Sequence, residues 1–495
     1  MEIDVKEVFD LQFSPRGTFL TTWSRPEKLA DESGNWADNV RIFKLDFKNK
    51  SYGLFDSYLN KAQSGWRPQY TIDESMICKM SNPYQLDFFS THGGSKLGRP
   101  LSQLKTKEFG KIQSFKMSPG KNPSIAVFIP AQKGNQAYIK VYSLSNVKTP
   151  TSQKQFFKGE SCEFTWNSLG TSILALVSTD VDSTNQSYYG ETSLYLLGIN
   201  GAFDQKITLD KEGPIHDITW SPTSREFAVI YGYMPSQTTF FDARGNSIHS
   251  LPPDSRNTIK YSPHGKFILS AGFGNLQGKV DILDRQAKFK KIASFEAPNT
   301  SVCKWAPDGR YILTATTSPR LRVDNGVKIW YFDGTLVYVK DFTEMYGVGW
   351  RSQPLEDFPP IGLAKEQCVA PHISAVEFLA KKMKLATANA DKPAGAYRPP
   401  HARRNVAGGN GATLTLAQRE AQQLRQGKVI PGFSAKKVIP GAVPMGASGS
   451  TDSQSKNKKR RQRNKKKAQG ENGAASDDDG SSVRSGSAAP KPLKS

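Results

Sequence analysis

Between Lys456 and Lys467, nine of twelve residues are cations: Lys456, Lys458, Lys459, Arg460, Arg461, Arg463, Lys465, Lys466 and Lys467. Cations at that density suit the neutralisation of a polyanion, with release of the counterions condensed on it. If about six of them engaged single-stranded phosphates, log affinity would fall against log salt with a slope of roughly −4. The same composition serves as a nuclear-localisation signal, so the run alone leaves both uses open. A second pair, Arg320 and Arg322, brackets Leu321 in a loop ahead of a strand signal at Val327. Loop arginines on a rigid body can read the shape of a nucleic acid or stack on a base. Their other reading is solvated charge with Asp324 as a local partner.

Other residue types that invite chemistry lack the spacing it needs. Asp180 and Asp182, followed by Ser183 and Thr184, could begin a calcium loop, but the Gly and terminal acidic ligand of that pattern are missing. Gly272-Phe273-Gly274-Asn275-Leu276-Gln277-Gly278 looks like a phosphate cradle. It joins two strand signals and opens no helix whose N-terminus could hold an anion, so a hairpin connection is expected. His216-Asp217 and His264 fall at repeated turn landmarks with no nucleophile motif beside them, and structural roles are expected. Cys78, Cys162, Cys303 and Cys368 stand far apart, without a C-x-x-C pair or a set of His and Cys at the spacing of a zinc site, which supports neither zinc nor disulfides. The expectation is no catalytic, metal or cofactor site.

A binding loop needs a scaffold, and residues 301–339 supply its pattern. An apolar run at 301–305 precedes Ala306-Pro307-Asp308-Gly309, with Pro and Gly where a type I turn favours them. Strand signals follow at 311–316, 327–332 and 336–339, separated by turns at Asn325-Gly326 and Asp333-Gly334. Four antiparallel strands in one such unit make a propeller blade. The landmark residue before the first turn recurs as Phe13, Tyr70, Met117, Trp166, Trp220, Tyr261, Trp305 and Trp350, at spacings of 57, 47, 49, 54, 41, 44 and 45. Blade-sized spacing implies units that bury their faces only by stacking in a ring. The fold class is therefore all-β, a WD-repeat-like propeller of about seven to nine blades. The unit around 66–89 is the least regular. Trp36, in a polar insertion at 25–39, either offers an exposed contact or folds back on its own blade.

The propeller is expected over 1–352, a linker with short helices and linear motifs over 353–446, and a disordered basic tail over 447–495. Ser374 and Glu377 have the spacing of a capping box ahead of Val376, Leu379, Ala380 and Met383, which share one helical face. Thr415 and Gln418 repeat that box before a second helix signal at 416–426. Ala396-Tyr397-Arg398-Pro399-Pro400 is an extended docking segment, and Lys428-Val429-Ile430-Pro431-Gly432 returns as Lys437-Val438-Ile439-Pro440-Gly441. Residues 365–495 hold 25 Lys and Arg against 9 Asp and Glu, a net +16 of the whole chain's +22. That charge argues for nucleic acid over an anionic membrane in the absence of a lipid anchor. No apolar run reaches the length of a membrane span, and residues 1–13 carry Glu, Asp and Lys in place of a secretory core. A cytoplasmic, reduced chain is expected, and the glycosylation patterns at Asn185 and Asn299 carry no weight.

Several blocks have no rationale in a generic propeller: Ser178-Thr179-Asp180-Val181-Asp182 with Ser187-Tyr188-Tyr189-Gly190-Glu191, Tyr261-Ser262-Pro263-His264-Gly265, residues 271–276, Leu313-Thr314-Ala315-Thr316, and Pro319-Arg320-Leu321-Arg322-Val323. With the 396–400 segment they resemble the monomeric eukaryotic translation initiation factor 2A family, distinct from the heterotrimeric factor 2, over most of residues 5–404. The resemblance implies a nine-bladed propeller. It also implies a non-enzymatic factor that binds the small ribosomal subunit and initiator methionyl-tRNA in a codon-dependent, GTP-independent way. Expected with it are a monomer, no membrane, and other initiation factors as further partners. The chain departs from the pattern at both ends. About two leading blades are missing, and the tail is rich in Ser, Gly and Lys where relatives carry a longer helical C-terminus. The ring is accordingly expected to be open or awkwardly closed, with seven full units and a lone strand at Trp350. A second class of function stays open: a general propeller scaffold whose basic tail is a localisation or non-specific RNA-binding element.

Overall fold

Short β-branched and aromatic runs bury both faces only when they pair with neighbours and are then covered by another sheet. The computed structural model shows that solution, describing residues 2–390 apart from 30–33, 64, 93–95, 133–134, 180–189 and 363–368. The chain divides into the units Met1–Gly395 and Ala396–Ser495, and everything described lies in the first. Twenty-eight strands form seven four-stranded antiparallel meanders, each one blade of a β-propeller. Within a blade the strands are called a to d from the channel outward. The blades span 8–58, 69–105, 114–156, 161–206, 215–250, 258–296 and 302–341. In blade 7 they are Val302–Trp305, Tyr311–Thr316, Gly326–Tyr331 and Leu336–Asp341, within two residues of the pattern read from sequence.

The core lies between blades. Phe128, Ile139 and Ala126 of blade 3 share a cluster with Phe164, Ile173 and Ala175 of blade 4, and five further clusters of this kind join blades 1 to 2, 2 to 3, 4 to 5, 5 to 6 and 6 to 7. Strand b is enclosed on both faces: every residue of Ser124–Ile129, Glu226–Tyr231 and Phe267–Ala271 is buried. Aromatic pairs bridge the sheets, as where Phe295 stacks on Trp330 at 4.3 Å between ring centres. Cys78, Cys162 and Cys303 are free and buried. Burial pushes the Cys303 thiol up to about 12.

The landmark residues have a physical role that their spacing alone did not disclose. The indole N–H of Trp166 donates to Lys116 O (3.0 Å), that of Trp220 to Thr165 O (3.0 Å), and that of Trp305 to Lys260 O (3.3 Å). Each acceptor is the residue just before the landmark of the preceding blade, so the repeat latches successive inner strands. Trp350 donates in the same way to Lys304 O (3.3 Å) but lies outside any strand. The expected lone strand at Trp350 is therefore replaced by a segment without strand pairing over 343–350. This segment packs Met345, Val348 and Trp350 on blade 7. It touches blade 1 through a Tyr346–Phe9 ring contact at 4.8 Å. Gly17, at φ +74°, is needed where Ser352 O passes too close for a Cβ.

Irregular landmarks compensate in kind. Glu74 and Ser224 take the left-handed turn position usually held by Gly, at φ +60° and +59°. Each side chain accepts an amide from the residue just before the equivalent turn position of the preceding blade: Glu74 Oε1 from Arg16 N (2.6 Å) and Ser224 Oγ from Leu169 N (3.1 Å). Trp36 folds back between Lys61 and Lys28, whose ammonium groups lie 4.4 and 5.8 Å from its ring centre.

Helix α1 (Ile373–Ala390) packs on blade 7 and turns its shared apolar face to solvent. It lies along strand d of blade 7, where His372 N donates to Val337 O (2.9 Å) and Ser374 Oγ accepts from Val339 N (3.2 Å). The Ser374 hydroxyl is thus engaged with a strand edge in place of the capping box. His372 Nδ1 accepts the Ser374 amide (3.2 Å) and takes the capping role. Ala375 and Phe378 face the blade, leaving Val376, Leu379 and Met383 exposed. The strand edge, with its unpaired amides, outcompetes the helix's own cap for the hydroxyl. The second helix signal and the 396–400, 428–432 and 437–441 motifs lie outside the described residues.

Candidate nucleic-acid interface

An antiparallel meander sends its connections alternately to two ends. The a–b and c–d turns gather on one face of the ring, the b–c and d–a loops on the other. Arg320 and Arg322 belong to the b–c loop of blade 7, residues 317–325. Its backbone is held by Arg320 N and Leu321 N donating to Thr317 O (3.1 and 3.0 Å). Asn325 Nδ2 donates to Leu321 O (2.7 Å), and its Oδ1 accepts Met345 N (3.0 Å), tying the loop to the segment after blade 7. Both guanidinium groups are exposed, and neither pairs with Asp324, which removes the local-partner reading. Arg320 reaches blade 6, where its Nη2 lies 3.4 Å from where a Cβ on Gly274 would stand. The 272–278 loop is a hairpin connection, closed by Gly278 N donating to Gly272 O (2.9 Å). The phenol of Tyr346, in the segment after blade 7, is held above its ordinary range by its hydrogen bond to Glu344, an effect that Arg25 and Arg322 oppose.

Around the channel, sequence reasoning missed a set of inner-strand side chains. The residues one and three before each landmark point inward, and among them are Asp10, Arg67, Lys116, Glu163, Asp217, Lys260 and Lys304. Their signal was present as the period-2 alternation leading into each landmark. Many bridge blades: Lys116 Nζ donates to Phe164 O (2.8 Å), Gln69 exchanges bonds with Phe115 O and Met117 N (both 2.8 Å), and Asp217 Oδ2 accepts Ile259 N (2.8 Å). Lys116 and Lys304 touch channel water, yet the surrounding wall removes enough of it to lower both amines. Glu163 opposes that effect at Lys116; at Lys304, Arg67 reinforces it and Asp10 opposes it. These charges form a latticework between blades, in which Lys116 has Glu163 as a neighbour and Lys304 has Asp10 beside it as well as Arg67 and Lys260.

His216 Nε2 meets Gly232 O at 2.8 Å, and His264 packs against the Asp308–Gly309 turn of the next blade. Among the described residues no group of three or more His, Cys, Asp and Glu converges as a metal site. A cleft of about 500 Å³ lies between blades 6 and 7, lined by Asn299, Thr316, Asp324, Lys328 and Phe378, among others. The nine tail cations from Lys456 to Lys467, Asp180 and Asp182, and Cys368 lie outside the described residues. The structure therefore places Arg320 and Arg322 together in one loop on one face of the ring.

Seven meanders latched by landmark aromatics, with a polar channel and arginine-bearing loops, define a WD-like β-propeller protein. The family model described as eukaryotic translation initiation factor eIF2A matches residues 154–348. Proteins named eukaryotic translation initiation factor 2A are 41% identical in Schizosaccharomyces pombe, over 92% of this chain and 76% of that protein. In Saccharomyces cerevisiae the identity is 39%, over 89% and 73%. A solved structure described as a eukaryotic initiation factor is 40% identical, covers 71% of this chain and 82% of its own, and superposes with a TM-score of 0.60. The chain belongs to the eukaryotic translation initiation factor 2A family, and its role is in translation initiation.

Proposed function

We propose that the protein is a non-enzymatic, monomeric cytoplasmic factor that binds the small ribosomal subunit and initiator methionyl-tRNA, in a codon-dependent manner without GTP. The observation that carries the reading is family membership over nearly the whole chain, joined to a tail with nine cations in twelve positions. In this reading the propeller supplies specificity, through loops such as that bearing Arg320 and Arg322. The Lys456 to Lys467 run supplies electrostatic affinity that does not discriminate sequence. The test is co-sedimentation with purified small subunits, and filter binding of initiator tRNA, across a salt series. The protein is compared with a form whose nine tail cations are Gln. Expected is weaker binding with the log–log salt slope reduced by roughly 4. Unchanged affinity and slope would show that the tail is not an RNA arm.

A second reading, a protein-docking scaffold, draws on the exposed Val376, Leu379 and Met383 of α1. It moves ahead if neither subunit nor tRNA binds the unaltered protein.

A further inference from the structure

The position one residue before each landmark is used in two ways around the channel. In blades 2 and 3 it reaches across the junction: Gln69 Nε2 donates to Phe115 O while its Oε1 accepts Met117 N, and Lys116 Nζ donates to Phe164 O (all 2.8 Å). In blades 6 and 7 the same position holds Lys260 and Lys304. Neither ammonium group forms a hydrogen bond or an ion pair among the described residues. Lys260 is nonetheless close enough to act on both the Cys303 thiol and the Lys304 amine.

The carboxylates on either side of this pair are already engaged. Asp217 of blade 5 accepts the Ile218 amide (2.9 Å) and the Ile259 amide (2.8 Å). Asp10 of blade 1 accepts the Leu11 amide (2.9 Å), the Trp66 indole (3.2 Å) and the Arg67 guanidinium (2.7 Å). Two residues before each lysine stand Thr258 and Val302, which bring no charge.

The seam supplies the room. Its segment repeats the landmark at Trp350, but the positions one and three residues earlier are Gly349 and Gly347. A Cβ on Gly349 would stand 3.4 Å from Lys304 Nζ, and one on Gly347 would have Leu11 Cγ as its nearest neighbour, 4.0 Å away. The channel wall beside Lys304 is therefore bare backbone, and the Gly347 and Gly349 amides take no partner among the described residues. Burial lowers the Lys304 amine, Arg67 and Lys260 reinforce that effect, and Asp10 opposes it. A bound anion would oppose it further.

We propose that Lys260, Lys304 and the glycine backbone of the seam form a phosphate site in the channel, taking inorganic phosphate or the phosphomonoester of a small molecule. Two unpaired ammonium groups match a ligand of about two negative charges, and a phosphomonoester carries about −1.5 to −2 near neutral pH where a carboxylate carries one. Lysines hold phosphate as point charges, and backbone without a Cβ lets an oxyanion approach its amides closely. The site is independent of the ribosome and tRNA reading, and either can fail without the other.

The test uses the full chain carrying Gln at the nine tail cations, so that the tail does not itself collect phosphate. Inorganic phosphate, glycerol phosphate, a nucleoside monophosphate and acetate are titrated calorimetrically at constant ionic strength. Three variants are compared with this parent: Lys260→Gln with Lys304→Gln, Gly349→Asp, and Lys116→Gln. Circular dichroism melts check that each folds. The parent should bind phosphate saturably, and loss of both lysines should weaken binding at least about tenfold, the effect of removing a charged hydrogen bond. Gly349→Asp, which sets a carboxylate beside the Lys304 ammonium, should weaken it similarly. Lys116→Gln, whose amine is already bonded across its junction, should change it less than about twofold. Equal binding of the three phosphates identifies the phosphate group alone as the ligand, and tighter binding of the nucleoside monophosphate identifies a nucleotide; both uphold the site. No saturable binding by the parent overturns it. So do phosphate affinity unchanged in the double variant and in Gly349→Asp, an equal loss in Lys116→Gln, and acetate binding as tightly as phosphate.

Discussion

The junctions inside the ring and the seam between blades 7 and 1 are built to different depths. Between blades 5 and 6, a buried cluster joins Ile230 and Phe240 to Ile259 and Tyr261. Above it, Glu226 accepts the Tyr261 hydroxyl (3.0 Å) and two bonds from Arg285 (2.7 and 2.6 Å). At the seam, residues 343–352 repeat only the first step, the indole latch of Trp350 on blade 7. Among the described residues, no buried cluster takes members from both blade 7 and blade 1. A repeat protein is stabilised mainly through its nearest neighbours, so a junction that copies the latch without the core should be the weakest.

The largest effect is expected inside the ring. Arg256, 4% exposed, donates to Lys279 O (2.8 Å) and pairs with Asp254 (2.9 Å) and with buried Asp281. Arg256→Ala leaves the Asp281 carboxylate without its main partner and should cost about 3–5 kcal/mol. Its seam counterpart, Arg351→Ala, removes a cation–π contact over the exposed Phe47 ring at 3.7 Å and should cost about 0.5–1 kcal/mol. Urea unfolding midpoints compare the two, and similar losses would erase the distinction between junction and seam.

A smaller difference should separate two members of the same repeat. Trp220→Phe removes a buried latch and leaves Thr165 O unpaired, for about 1–3 kcal/mol, whereas Trp350→Phe at the half-buried seam should cost under about 1 kcal/mol. If Trp350→Phe proves the costlier by thermal melting, the seam is a principal clasp.

The smallest effect is on pH dependence. Burial holds the Asp217 carboxyl above its ordinary 3.8, against the opposing influence of Lys260 and the Ile259 and Ile218 amides. With the folded pKa above the unfolded one, its contribution is intact below the unfolded value and declines as pH rises through the folded value. The stability of wild type relative to Asp217→Asn should therefore fall with rising pH across the carboxylate range. A flat difference in paired unfolding curves would show that the channel does not desolvate this group.

How much was readable depended on whether a feature was local. Blade 7 was legible almost residue by residue because Ala306-Pro307-Asp308-Gly309 and Asp333-Gly334 impose their turns through their own backbone preferences. Trp350 was misread as a strand because its landmark chemistry was present while the partners that make a strand were not. Which face of α1 is covered was not legible for a related reason: helical periodicity locates a stripe, but only the edge of blade 7 decides that Ala375 and Phe378 are covered and Met383 is not. Arg320 and Arg322 could be singled out as candidates because they cluster in sequence. The inner-strand charges such as Lys116 and Asp217 escaped because they arrive singly, dozens of residues apart.

By itself, then, the chain's order of residues determined the repeat, the blade-sized period, the landmark turns, the concentration of charge in the last part of the chain, and the family blocks. These are properties of neighbours along the backbone or of composition, and no folding is needed to compute them. The tertiary structure alone decided that the landmark indoles latch to the preceding blade, that seven sheets meet at a seam, and that inner-strand charges from separate blades bridge to one another's backbones. Each depends on which distant segments the alternating up-and-down course of the meander brings to the same side, a fact that exists only once the sheets are stacked.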